Sequence, residues 1–314
     1  MEFKSARRVC WDEPVPNVVA RAPAQLSSDC RAAYFVAAKE FFSGAGAIID
    51  SGTLAGGSSV ALLEGWKAGG RSVPQRPFLH AFDAFRCDEN TPLFFHEHFG
   101  GDWSAGDNFR TIYERAVQGY ADYVEIYEGD IMKFEPWNGP GIEILGIDVW
   151  KNESIARHCA RIFFPHLMIG SIVLQQDYNH IWLPHIHRIM EALSSHFEKV
   201  HETEIGGTII FQLVRTISNQ DVEIALQRQS DCNEGKLLAE TAARRAWKSH
   251  TELFVEIADC LREAKCAGKD SAFLQLGRVE AKAKHSLLDE EYRKFFADQI
   301  LQMQVYITGL AYSA

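Results

Sequence analysis

Between residues 40 and 217 the spacing of apolar positions switches repeatedly between short continuous runs and helical periods, the mark of alternating strands and helices. Five runs, at 47–49, 77–82, 123–128, 142–147 and 170–176, read as strands of an open parallel sheet, and each leads toward an acidic residue. Two further runs, at 198–203 and 208–214, flank Gly206-Gly207 and predict an antiparallel hairpin. Ahead of the sheet, prolines at 14, 16 and 23 predict a segment draped over the surface, and Ser27 or Ser28 caps a helix running through Phe41 and Phe42. Beyond Ser218 the spacing is helical and proline disappears from 220 to 314. Trp247, Phe254, Ile257 and Leu261 form one apolar stripe there, and Tyr292, Phe295, Phe296, Ile300 and Met303 another. Three zones follow: an N-terminal segment and helix over 1–40, a sheet domain over 41–217, and a helical C-terminal region over 218–314. The C-terminal stripes suit core packing, a homodimer through the C-terminal helices, or a wall of an acceptor pocket.

The loop after the first strand carries the strongest chemical signal. Asp50-Ser51-Gly52-Thr53-Leu54-Ala55-Gly56-Gly57-Ser58-Ser59 takes an apolar strand through a glycine turn into a helix beginning near Ser58. With no side chain at Gly52 or Gly56, backbone N–H groups can approach a ligand, and the helix adds unpaired donors and the positive end of its dipole. Such a turn suits a nucleotide-like cofactor, although strand-to-helix turns also use glycine merely to close. Asp83, Asp130, Asp148 and Asp177 stand at the ends of the following strands, and in a parallel sheet those ends form the ligand crevice. Asp83 is placed to accept from two ribose hydroxyls and Asp130 to meet an adenine end. The alternative for each acid is a helix cap.

The order of these motifs resembles the class I S-adenosylmethionine-dependent methyltransferases, in particular the macrocin O-methyltransferase-like group. The residues that carry the likeness are Asp50 to Ser59, Ala81-Phe82-Asp83-Ala84-Phe85, Glu128-Gly129-Asp130, Ile147-Asp148-Val149-Trp150-Lys151-Asn152-Glu153-Ser154 and Gln176-Asp177-Tyr178, across about residues 40 to 217. The resemblance implies an α/β fold: a doubly wound, mostly parallel seven-stranded sheet of Rossmann-like methyltransferase type with an antiparallel final strand. Here that domain would carry a helical C-terminal extension. It further implies S-adenosylmethionine as cofactor, with Ser51 and Gly52 along the methionine end, Gly56 and Ser58 in the same turn, Asp83 on ribose and Asp130 beside adenine. A divalent ion, Mg2+, would rest on Asp148 and Asp177. Gln176 and Trp150 stand where the pattern has further acids, and Asn152 where it has tyrosine.

Methyl transfer to a hydroxyl needs in-line positioning and removal of a proton. A hard cation could orient vicinal hydroxyls and lower their pKa. Without one, His180, three residues past Asp177, is the expected base, with Asp148 as the second catalytic group. His185 and His187 read as surface or packing residues. The segment 86–108 holds His96-Glu97-His98 among Phe94, Phe95, Phe99 and Trp103 and reads as an irregular aromatic loop, either a lid or packed on itself. Its histidines lack the spacing for one helical face and have no third ligand nearby.

Composition narrows the classes. A net charge of −10 argues against a general nucleic-acid binder. Seven cysteines without a Cys-x-x-Cys pair predict reduced thiols and a cytoplasmic setting. No apolar run is long enough to cross a bilayer, and the N-terminus lacks a signal-peptide pattern. The resemblance implies methylation, O-directed, of a small sugar-like or secondary-metabolite acceptor. A catalytically degenerate cofactor- or partner-binding protein of the same fold is the alternative. A nicotinamide-dependent oxidoreductase is weaker still, because Gly52-Thr53-Leu54-Ala55-Gly56 departs from Gly-x-Gly-x-x-Gly.

Overall fold

The structure, a computed structural model, describes residues 4–72, 76–205, 207–286, 288 and 290–310. Its strands are β1 (Ala47–Ser51), β2 (Leu79–Asp83), β3 (Val124–Glu128), β4 (Ile142–Ile147), β5 (Leu167–Gln175), β6 (Phe197–Glu202) and β7 (Ile209–Leu213). They form one seven-stranded sheet in the order β3-β2-β1-β4-β5-β7-β6. The pairings among β1 to β5 are parallel, and β7 runs antiparallel to both β5 and β6. This is the doubly wound α/β architecture with an antiparallel final strand that the motif order implies. Strand order reverses at β1, which lies between β2 and β4, so the loops leaving these strands border a topological switch point.

Two compact units make up the chain, and the strands all belong to the first: Met1–Val149, His158–Gln176 and His196–Ser218. Its helices include α1 (Asn17–Arg21), α2 (Ser28–Phe41), α3 (Gly57–Gly69), α4 (Thr91–Phe99) and α5 (Arg110–Ala116). The Ser27 hydroxyl accepts from the Cys30 N–H and starts α2, as the sequence predicts. All five residues of β1 are buried, and Ile48, Leu79, Ile144 and Ile172 share a core with Phe35 and Val36 of α2 and Leu62 and Leu63 of α3. The N-terminal segment does not simply drape over this unit. Ala6, Trp11 and Val19 are buried in the same core, with Trp11 stacked on Phe41 at 5.7 Å, because an indole of that size gains more from burial than a proline-rich backbone loses.

Nor is 86–108 irregular throughout, since α4 occupies part of it. Pro92 fits the first turn of that helix, where its missing N–H costs nothing, and Gly100 with φ +69° ends it. Phe95 is fully buried against Trp103 and Phe109, so the aromatics pack on one another. Of the hairpin signal, Gly207 has φ +62°, while Gly206 lies outside the described residues.

The second unit comprises Trp150–Arg157, Asp177–Ser195 and Asn219–Ala314. It takes the first turns of α6 (Glu153–Phe163), then α7 (Pro184–Ala192), α8 (Asn219–Ser230), α9 (Cys232–Arg244), α10 (Ser249–Ala267), α11 (Lys269–His285) and α12 (Glu290–Gly309). Leu253, Ile257, Leu276, Phe296, Ile300 and Met303 build its core. Two stripe residues fall outside it. Trp247 precedes α10 and is 55% exposed, and Phe295 is 45% exposed because its neighbour Phe296 takes the inward position. Cys232 and Cys266, predicted as free thiols, are joined by a disulfide that ties the start of α9 to the end of α10 across 34 residues. Among the described residues no helix is long and apolar enough to cross a membrane.

Candidate functional site

Asp50 organises the turn after β1. The carboxyl is 1% exposed, and its Oδ2 accepts from the hydroxyls of Ser58 at 2.8 Å and Ser59 at 2.6 Å. The Ser59 oxygen in turn lies 3.0 Å from the Tyr113 hydroxyl. Burial pushes the Asp50 carboxyl up to about 7 against the pull of the two serines, and the charges of Asp148 and Asp83 push the same way.

The glycines of the turn serve the protein's own packing. Gly52 has φ +86°, and a Cβ there would lie 2.8 Å from the carbonyl carbon and oxygen of Asp148. Gly56 has φ +94°, and its Cβ would sit 3.1 Å from Ala116 and 3.2 Å from the Tyr113 ring. Both lack side chains because the loop after β4 and helix α5 close upon them, so the openness predicted for the turn is partly taken up by protein atoms. Two expected side chains are engaged as well. The Ser51 hydroxyl donates to the Gly146 carbonyl at 2.7 Å, and that of Ser58 to Asp50.

Asp83 locks this turn to the neighbouring strand. Its Oδ2 accepts from the Leu54 N–H at 2.9 Å and its Oδ1 from the Phe85 N–H at 2.8 Å. Leu54 and Phe85 have φ of +47° and +49°, a region that ordinary side chains disfavour. The carboxylate therefore holds both strained loops in place. Burial raises the Asp83 pKa, while the backbone N–H groups of Leu54, Phe85, Thr53 and Ala84 pull it back. Each carboxylate oxygen has a second lone pair, so two ribose hydroxyls could still be accepted. Beside it, Thr53 is buried and its hydroxyl has no partner among the described residues. Orphaned buried polar atoms are uncommon in folded proteins. The sequence did not single out Thr53, although it lies inside the glycine motif.

Asp148 follows β4 with its N–H on the Ser51 carbonyl at 2.8 Å, half-buried in the same unit. Asp130 is exposed and caps the short turn after β3 through the Met132 N–H at 3.0 Å. Gln176 is buried, and its Oε1 accepts from the Thr208 hydroxyl at 2.8 Å. The first unit thus brings together the Gly52 turn, Asp50, Asp83 and Asp148.

Asp177 and His180 belong to the second unit. Asp177 has φ +57° and pairs with Lys151. His180 is exposed, and its Nδ1 accepts from the Trp182 N–H at 3.3 Å, which leaves the neutral ring's proton on Nε2. To take a proton at Nδ1 it must release that contact. Partial desolvation of the ring lowers its pKa, offset in part by the Asp177 charge. His185 and His187, predicted as surface or packing residues, are buried. They meet the carbonyls of Trp150 and Tyr178, and burial pushes His187 down to about 4. His96 and His98 each place Nδ1 on a carbonyl of their own segment, Gly101 and Phe94.

The residues present fit an adenosyl ligand better than a metal ion. An orphaned hydroxyl, a carboxylate with spare lone pairs and a backbone turn meet at the switch point. By contrast, no three His, Cys, Asp or Glu side chains gather to hold a metal among the described residues, so the Mg2+ predicted on Asp148 and Asp177 finds no support. Trp150, where the pattern has an acid, is 1% exposed and offers no oxygen ligand.

No protein-family model matches the chain, and no curated protein does. Solved structures match more distantly. The O-methyltransferase NovP is 14% identical with a TM-score of 0.42, over 60% of this chain and 78% of its own. The O-methyltransferase from Bacillus cereus in complex with SAH is 15% identical with a TM-score of 0.42, over 64% and 92%. Cofactor-bound Rv0187 from MTB is 15% identical with a TM-score of 0.33, over 65% and 100%. Likenesses at this level concern architecture and decide nothing about substrate.

Proposed function

We propose that this protein is an S-adenosylmethionine-dependent methyltransferase that methylates a hydroxyl of a small sugar-like or secondary-metabolite acceptor. The observation that carries the proposal is the hydrogen bond from the Leu54 N–H to Asp83 Oδ2, which joins a glycine turn and a strand-end acid beside the reversal of strand order. Asp83 would hold ribose hydroxyls through its remaining lone pairs, and Thr53 would complete its hydrogen bonding on the same ligand. When bound, S-adenosylmethionine supplies an electrophilic methyl group on a sulfonium. The carboxylates of Asp83 and Asp148 lie near enough to the turn to act on Asp50 by their charge, and negative charge there favours a cationic ligand. Asp148, in the same unit as the turn, is assigned the acceptor's proton.

Calorimetric titration of the native chain with S-adenosylmethionine, S-adenosylhomocysteine and NAD tests this. Heat is expected with the first two and none with NAD. Binding of NAD alone would favour the oxidoreductase alternative and end the proposal.

A further inference from the structure

The acid that the resemblance assigns to a divalent ion is already matched by a cation of the chain itself. Lys151 Nζ stands 2.5 Å from Asp177 Oδ2, linking the segment after β4 to the turn after β5 within the second unit. Asp177 is not a loosely hung side chain. Its backbone is in the left-handed region with φ +57°, which aspartate tolerates, and its carbonyl accepts the His180 N–H at 3.0 Å, so it sits in a tight turn. Lys151 is one residue from Trp150, the buried indole in an acid's place, and Asp177 follows Gln176, whose amide oxygen is taken by Thr208. A hard divalent ion needs several oxygen ligands and gains most from carboxylates. At these positions the sequence supplies one indole, one engaged amide and an ammonium.

We propose that Lys151 is the built-in counter-cation of Asp177 and that this protein works without the divalent ion its relatives in pattern would use. That a divalent ion would otherwise serve here rests on the methyltransferase reading; the ion pair and the chemistry of the donor set do not.

Two measurements on the full chain test this without an acceptor. The first is Mn2+ binding, followed by the electron paramagnetic resonance of the free ion. The native chain is expected to leave sub-millimolar Mn2+ free, and Lys151→Met combined with Gln176→Asp to bind one ion at least about tenfold more tightly, since affinity follows the count of charged oxygen ligands. Stoichiometric binding by the native chain that Asp177→Asn abolishes would overturn the proposal, as would a folded double variant that gains no affinity. The second is the acetylation rate of Lys151, read by mass spectrometry. The Lys151 side chain is already 56% exposed, so Asp177→Asn, which tolerates the same backbone conformation, should speed its labelling only by releasing the ion pair, about threefold. An unchanged rate would mean that Lys151 is not held by Asp177. Failure of S-adenosylmethionine to bind would sink the methyltransferase reading and leave both results standing.

Discussion

Replacing Asp83 separates its two tasks. In Asp83→Ala the N–H groups of Leu54 and Phe85 lose their acceptor, and Phe85 is fully buried. A buried donor left unsatisfied costs about 1–3 kcal/mol, so the pair, part-buried at Leu54, amounts to at most about 6 kcal/mol. Relief from burying the carboxylate, whose pKa burial raises, returns part of that. The loss is a large fraction of the roughly 5–15 kcal/mol that hold a domain together. Asp83→Asn keeps one acceptor and turns an NH2 toward the other N–H, so it should lose about half as much, about 1–3 kcal/mol. Urea denaturation followed by tryptophan fluorescence should rank the proteins native, Asn, Ala. Calorimetry on the folded Asn variant should show S-adenosylmethionine bound roughly 10- to 150-fold more weakly, from about 1.5–3 kcal/mol for a hydrogen bond to a charged group. An Ala variant with the native urea midpoint would refute the locking role, and an Asn variant with native affinity would remove Asp83 from the ligand.

Three other outcomes follow from the same geometry. Gly52→Ala forces a left-handed residue and a Cβ at 2.8 Å from the Asp148 backbone, so it should destabilise by about 2 kcal/mol or more in the same denaturation assay. Asp50 titrates near 7 when folded against 3.8 unfolded, so between these values the folded chain holds more protons. Stability should then fall as pH rises from about 4 to about 7, by about 4 kcal/mol, and Asp50→Asn should flatten that slope while still accepting from the serines. Breaking the Cys232–Cys266 bond, which closes a 34-residue separation, should destabilise the helical unit by about 4 kcal/mol on the chain-entropy account; a reductant that leaves its melting unchanged would contradict this.

What could be read from the sequence was what depends on local pattern. Every predicted strand appears within a few residues, because apolar runs and turn glycines are both local signals. Asp83 was legible for the same reason, as an acid at a strand end. Its bonds to Leu54 and Phe85 were not visible, since they need two loops folded against each other. Asp50 and Thr53 were inside the glycine motif, but nothing in their spacing announces that one is a buried acid near neutral pKa and the other an orphaned hydroxyl. The N-terminal segment was read as draped over the surface from its three prolines, and the burial of Trp11 within it has no local signal. The Cys232–Cys266 pairing depends on two helices lying side by side, which no cysteine spacing reveals.

The most direct test is an experimental structure with S-adenosylhomocysteine bound. The account predicts its adenosine against the Gly52–Gly56 turn and alongside Asp83, with the ribose hydroxyls on the free lone pairs of the Asp83 carboxylate and a hydrogen bond to Thr53. Adenosine bound elsewhere, with Asp83 touching only Leu54 and Phe85, would contradict it.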